Sequence, residues 1–359
     1  MMKAKQRKSS IELLRIIAIL LIVLSHSNPY YADRSLISYI NLDSPTTNIN
    51  VLVVIIFRAL GQVGNVIFII CSAWFLIDSK KVKINKVLAI FLDLTIISII
   101  FLVVFVGING KINEYYFNLS AFPMIYKNAY WFIVCYLLFY IVHPYLTKIV
   151  DNSNKNELLA LCIILFVLYS IFNMIFNEAF YYTEFIGFIE IYFLVAYMKK
   201  YLDDFCNNTR KNVILFAVSH FLLIIYIMIR DILLIKANAD SGMLDNIKIY
   251  NPFIILVAIS LFNIFRNINI KGKMINYIAK LSIWVFLFTE NIFIRELIRP
   301  QFFLKYYGNN IIILCMIEFV RLVIFGYFCS AFYDITISKI TKKISEKASE
   351  KITKSLEKS

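Results

Sequence analysis

Apolar residues dominate this chain in long runs, broken at intervals by short polar stretches. Ten runs approach the length needed to cross a bilayer, at roughly 11–27, 50–77, 87–107, 130–149, 157–176, 180–198, 213–235, 251–266, 275–293 and 310–335. About 20 mostly apolar residues span a hydrocarbon core as an α-helix, which satisfies its own backbone hydrogen bonds where no water can. The pattern predicts an all-α polytopic membrane protein with about ten transmembrane helices. Polar residues interrupt the sixth and ninth runs. After Asp334 the period changes: Ile337, Ile340, Ile344, Ala348, Ile352 and Leu356 recur every three or four residues among Lys, Glu and Ser. That spacing predicts an amphipathic helix on the membrane surface; a charged tail that only fixes topology is the alternative. The chain so divides into a transmembrane domain, 1–335, and a Lys-rich tail, 336–359.

Composition agrees. Of 359 residues 60% are hydrophobic and 17% charged, and the mean hydropathy is +0.74, which no ordinary soluble domain shows. The net charge of +14 invites a nucleic-acid reading, but its distribution excludes one. Lys3, Lys5, Arg7 and Lys8 precede the first run; Lys80, Lys81, Lys83 and Lys86 follow the second. Lys199, Lys200, Arg210 and Lys211 follow the sixth, and Arg266, Lys271 and Lys273 the eighth. Cations gathered in alternate loops mark the cytoplasmic side. An even number of crossings with both termini cytoplasmic fits every alternation. The longest outer loops, about 28–49, 108–129 and 236–250, are too short for a soluble domain. Five of the six cysteines (Cys71, Cys135, Cys162, Cys206, Cys315, Cys329) lie in apolar runs and none forms a CxxC pair, so they read as small hydrophobes, neither a disulfide framework nor a metal site. No small-x-small cleavage site follows Leu24, so the first run is kept as a span.

That first run, IELLRIIAILLIVLSH, carries Glu12, Arg15 and His26. Arg15 and His26 are eleven residues apart; at about 100° per residue they fall within about 20° of one helical face, with a rise of about 16 Å between them. Glu12 stands one turn from Arg15 and can pair with it. Ionisable side chains inside a membrane are costly and mark functional sites by default. Arg58, Asp93, His143, Glu190, His220, Glu318 and Arg321 are the other intramembrane polar residues. Glu318 and Arg321 are spaced to pair structurally, His143 and His220 read as hydrogen-bonded structural residues, and Arg58 and Glu190 are candidates to face a central cavity.

An acidic residue, Arg three later, ten mostly apolar residues and then His resembles the first span of the membrane acyltransferase-3 family, ten-span bacterial enzymes that place acyl groups on extracytoplasmic polysaccharides. Two further stretches resemble that family: Gly61 to Ile77, GQVGNVIFIICSAWFLI, in which Ala73 replaces a usual Gly, and Tyr130 to Leu146, YWFIVCYLLFYIVHPYL. A late stretch departs from the pattern. Ser282 begins a segment ending Thr289-Glu290-Asn291, with Arg295 beyond, and Thr289 stands where a His is expected. The resemblance implies an O-acyltransferase using a cytoplasmic acyl-CoA, acetyl-CoA first and succinyl-CoA as the competitor, with no bound cofactor. Its implied acceptor is a surface polysaccharide or lipid-linked glycan. It maps the essential residues onto Arg15 and His26; Glu290, beside Thr289, is the third catalytic candidate, and Glu12, Arg58, Trp131, Glu190 and Arg295 are the candidates for substrate binding. A flippase for a lipid-linked saccharide and an inactive relative are the alternatives.

Overall fold

The computed structural model describes residues 8–28, 45–112, 130–176, 183–236, 247–306 and 310–356, with a few isolated positions between 113 and 129. No strand occurs among the described residues. Lys3, Lys5 and Arg7 and most of the three outer loops lie outside them. Every apolar run is helical over its described residues, apart from turn or cap positions. The order is α1 (Ser9–His26), α2 (Pro45–Leu76), α3 (Ile84–Asn109), α4 (Trp131–Asn152), then α5 (Lys155–Leu165), which passes through a π-helical turn at Phe166–Ile171 into α6 (Phe172–Phe176). It continues with α7 (Glu184–Tyr201), the short α8 (Asp203–Asn207), α9 (Thr209–Lys236), α10 (Pro252–Asn267) and α11 (Lys273–Thr289). A π-helical turn at Ile294–Ile298 leads into α12 (Arg299–Lys305), and α13 (Ile311–Thr336) and α14 (Ser338–Leu356) close the chain.

Seven of these stretches are long and apolar enough to cross a membrane, and α11 with the helical segment after it, bent by 56°, makes an eighth. The expected ten are therefore met on length and composition by seven or eight. Helix α10 has 16 residues, and α7 carries Glu184, Glu190, Lys199 and Lys200 within 18.

Side-chain contacts gather alternate helix ends. Gly272 N–H donates to Ser9 Oγ (3.1 Å), and Lys8 donates to the Arg266 carbonyl, joining the start of α1 to the end of α10 and the start of α11. Lys199 donates to the Trp74 carbonyl (2.6 Å) and pairs with Asp78 (2.8 Å), joining the ends of α2 and α7. Asp151 lies 3.5 Å from Lys80 and 3.6 Å from Lys200, adding the end of α4. Successive long helices are so antiparallel, as short connections demand.

Helix α1 is the hub, packed on α2, α10, α11 and α13. Its contact with α2 is backbone-close. A Cβ at Gly61 would sit 2.1 Å from Ser25 Oγ, and one at Gly64 would sit 2.5 Å from the Ala18 carbonyl oxygen. Lipid provides no hydrophobic drive between helices, so close approach at small residues supplies the attraction. Gly64→Val is expected to cost about 1–3 kcal/mol through overpacking, read as a lower Tm of the detergent-purified protein; an unchanged Tm would mean that α1 and α2 can separate without penalty.

Near the end of α13, where the tail helix begins, Asp93 of α3 accepts from Trp284 Nε1 of α11 and from Tyr333 Oη of α13, both at 2.9 Å. The tail is helical as expected. It packs on α3 and α13, burying Ser338, Thr341 and Ser345 while Ile340, Ile344 and Ile352 stay exposed.

Candidate functional site

Helix α1 presents Ile11, Glu12, Arg15, Ile19 and Ile22 to one cavity of about 440 Å³. Their spacing of three or four residues is one helical stripe, and His26 is its next position. Helices α2, α3, α4 and α11 complete the walls through Phe68, Cys71 and Ser72, Lys86 and Ile90, Phe132 and Tyr136, and Ser282 and Phe286. The lining is mostly apolar, with Arg15 and Lys86 at the end where α1 begins. Arg15 pairs with Glu12 at 2.9 Å and stands over the Phe68 ring at 5.8 Å. The spacing-based pairing of Glu12 with Arg15 and the shared face of Arg15 and His26 are both present in the fold.

The far end of α1 meets a break in the bundle. Helix α11 stops at Thr289, and the chain turns at Glu290 before the next helical turn. Asn291 fixes that turn: its Oδ1 accepts the Phe293 N–H (3.1 Å) and its Nδ2 donates to Tyr130 Oη (3.1 Å). Tyr130 Oη in turn donates to the Leu287 carbonyl (3.0 Å), so the start of α4 pins the end of α11. The turn carries Glu290 to His26, with Oε1 3.0 Å from Nδ1. Arg299, folded back by the break, reaches the same Oε1 at 2.6 Å and also donates to the Thr289 carbonyl. Arg299 is fully buried and Glu290 nearly so, whereas the His26 side chain keeps 16% of its accessibility. Burying a lone carboxylate or guanidinium costs several kcal/mol, and each charge here offsets the other. The result is a histidine with one ring nitrogen 3.0 Å from an anchored carboxylate, an arrangement that suits the opposite nitrogen, Nε2, to proton transfer.

The other expected residues divide. Arg58 is buried on α2, one turn beyond the Gly61 contact with Ser25 and so at the His26 end. Trp131 opens α4 and packs edge-on against Phe132 (centroids 5.6 Å), which lines the cavity. Glu190 is not brought to the cavity or to His26: its Oε1 accepts from Ser170 Oγ (2.6 Å), in the π-helical turn after α5. Arg295 pairs with its neighbour Glu296 (3.0 Å), and Arg299 meets Glu290. Thr289 is also turned to structural use; its hydroxyl donates to the Val285 carbonyl (2.9 Å), and its methyl fills the space left by Gly326. Glu318 and Arg321 pair at 2.9 Å as their spacing suggested. His143 Nδ1 is 2.6 Å from the Tyr140 carbonyl, and His220 stacks on Phe216 (5.7 Å).

Arg299 is the residue that sequence reasoning missed. Nine residues after Glu290 on a straight helix it would lie about 180° away and about 13 Å further along; only the break places the two together. The Arg299-Pro300 pair within an apolar run was the available signal.

The stretch that contains α1, the cavity walls and the broken segment matches one family model, an acyltransferase domain, over residues 8–333. The chain belongs to acyltransferase family 3. The protein is accordingly a multi-pass membrane acyltransferase, and the match spans both the cavity and the His26, Glu290 and Arg299 cluster. No curated protein and no solved structure matched the chain.

Proposed function

We propose that this acyltransferase moves an acyl group, acetyl first, from cytoplasmic acyl-CoA to a hydroxyl of an extracytoplasmic or lipid-linked polysaccharide, crossing the bacterial plasma membrane ten times with both termini inside. The observation that carries the reading is the single stripe of α1, along which a cationic cavity mouth at Arg15 and Lys86 leads toward the His26–Glu290 pair. Its direction matches the charge asymmetry: the Arg15 end gathers Lys8, Lys80, Lys199, Lys200 and Arg266, the cation-rich loops that the positive-inside rule assigns to the cytoplasm. The antiparallel order of the helix ends supports ten crossings.

In this reading Arg15 holds a donor phosphate, for which guanidinium geometry is suited, and the apolar walls take the thioester arm. His26 Nε2 takes the proton from the acceptor hydroxyl as its oxygen attacks the thioester carbonyl carbon. The carbon–sulfur bond then breaks, and the imidazolium returns the proton to the departing CoA thiolate. Glu290 orients the ring and steadies its charge, Arg299 anchors Glu290, and Arg58 is the candidate to stabilise the carbonyl oxygen. Trp131, beside Phe132 at the end of the bundle where α4 begins and α11 breaks, is the candidate platform for the acceptor.

Membrane vesicles given acetyl-CoA labelled in its acetyl group are expected to transfer label to extractable glycan, with succinyl-CoA a poorer donor. Label that stays on CoA in vesicles holding folded protein and the host's own glycan would contradict the reading. Arg15→Gln is expected to raise the KM for acetyl-CoA about tenfold or more, as loss of a charged phosphate contact should; an unchanged KM would remove Arg15 from donor binding.

A further inference from the structure

A second, smaller cavity of about 220 Å³ lies beside the first at the end where α1 begins. Ile11 and Phe75 form a wall common to both, and Lys8, Trp74, Asn207 and Arg266 are among its other lining residues. None of the described residues that line it is acidic. Two cations are nevertheless held side by side there, since Lys8 donates to the backbone carbonyl of Arg266. Partial burial, and then the Arg266 charge, push the Lys8 amine below its ordinary value.

Arg266 is fixed in place. Its guanidinium stands 4.8 Å from the Trp74 ring centroid, and its Nη2 donates to Asn207 Oδ1 (2.5 Å), while the Asn207 amide is itself tied to Asp203 (2.8 Å). Lys199 also approaches Trp74 (5.0 Å) but is paired with Asp78, so it adds no uncompensated charge. Like charges held together in a partly dry recess repel, and an anion bound between them relieves that cost. An Arg with its planar fork oriented in advance is suited to phosphate.

We propose that this recess is the site for the 3′-phosphate of the donor nucleotide, held by Arg266 and Lys8, with the remainder of the acyl-CoA passing over the Ile11–Phe75 wall into the larger cavity. The inference rests on the acyl-CoA reading above and adds to it a second cationic subsite. It explains why the recess shares a wall with the larger cavity, and why the end of α10 presents Arg266 to the start of α1.

The test is binding of CoA and of dephospho-CoA, which lacks only the 3′-phosphate, to the full chain in neutral detergent. Wild type is expected to prefer CoA by about tenfold or more, Arg266→Gln to lower that preference to within about twofold, and Arg266→Lys to retain most of it. Binding of both ligands by wild type without preference overturns this proposal while leaving the donor reading intact. Binding of neither overturns both. An anionic lipid headgroup is the rival occupant: if added phosphatidylglycerol raises the Tm of wild type but not of Arg266→Gln, while the CoA preference is the same in both, the recess belongs to lipid and the proposal is overturned.

Discussion

Replacing His26 with alanine is expected to lower acyl transfer by about 10²–10⁴-fold, the range that a positioned general base contributes, with the amount and Tm of the membrane protein close to wild type. Stability should survive because the substitution strands no charge: Glu290 keeps Arg299 at 2.6 Å when the imidazole is gone. The imidazole is also the least buried member of the cluster. Transfer at the wild-type rate by His26→Ala would remove the base assignment, and loss of both transfer and folded protein would make His26 a structural residue. Glu290→Gln leaves the buried Arg299 without its anion and should lower the Tm, so its transfer is read per folded protein, where it separates orientation from charge. The amide retains the size of the carboxylate but cannot steady an imidazolium, so transfer should fall less than in His26→Ala. A fall in which KM is unchanged would mark it as acting on the transition state.

Arg299 is expected to behave in the opposite way. Arg299→Leu leaves Glu290 buried without its guanidinium partner, and breaking a buried pair by removing one partner costs about 3–5 kcal/mol. Thermal unfolding of the detergent-solubilised protein should show a large drop in Tm, with activity lost alongside. The double variant Arg299→Leu with Glu290→Gln removes both charges and should recover most of the Tm without recovering transfer. If the double variant is as unstable as the single one, the Arg299 contribution is packing and its bond to the Thr289 carbonyl, and the ion pair is incidental.

These two residues also show where the sequence was legible. The α1 stripe could be read directly because one unbroken helix obeys a fixed angle per residue, so Arg15 and His26 had to share a face. The Glu12–Arg15 and Glu318–Arg321 pairs followed from the same rule. Glu290 was legible as a candidate from the late segment, but its partner was not, because Arg299 reaches it only across a non-helical turn fixed by Asn291 and Tyr130. Arg295 was the nearer cation in sequence, and its side chain is taken up by Glu296. Glu190 was attractive as a charge inside an apolar run, and the fold gives one of its oxygens a local partner in Ser170, away from the cavity. Thr289 was an apparent defect at a position where histidine was expected; the neighbouring Glu290 supplies the side chain that faces His26, so the departure does not empty the site. Crossing number was the coarsest reading, because α7 is too charged and α10 too short for composition alone to place them in the bilayer.

The central claim is that His26, oriented by Glu290, transfers acyl groups to surface glycan. The most direct measurement is the O-acyl content of purified surface polysaccharide, by proton NMR, in a deletion strain complemented with wild type or with His26→Ala at equal membrane levels. The account predicts acyl signals with wild type and none with His26→Ala, the chemical shift naming the acyl group. Spectra identical in the two strains, with both proteins expressed, would contradict it.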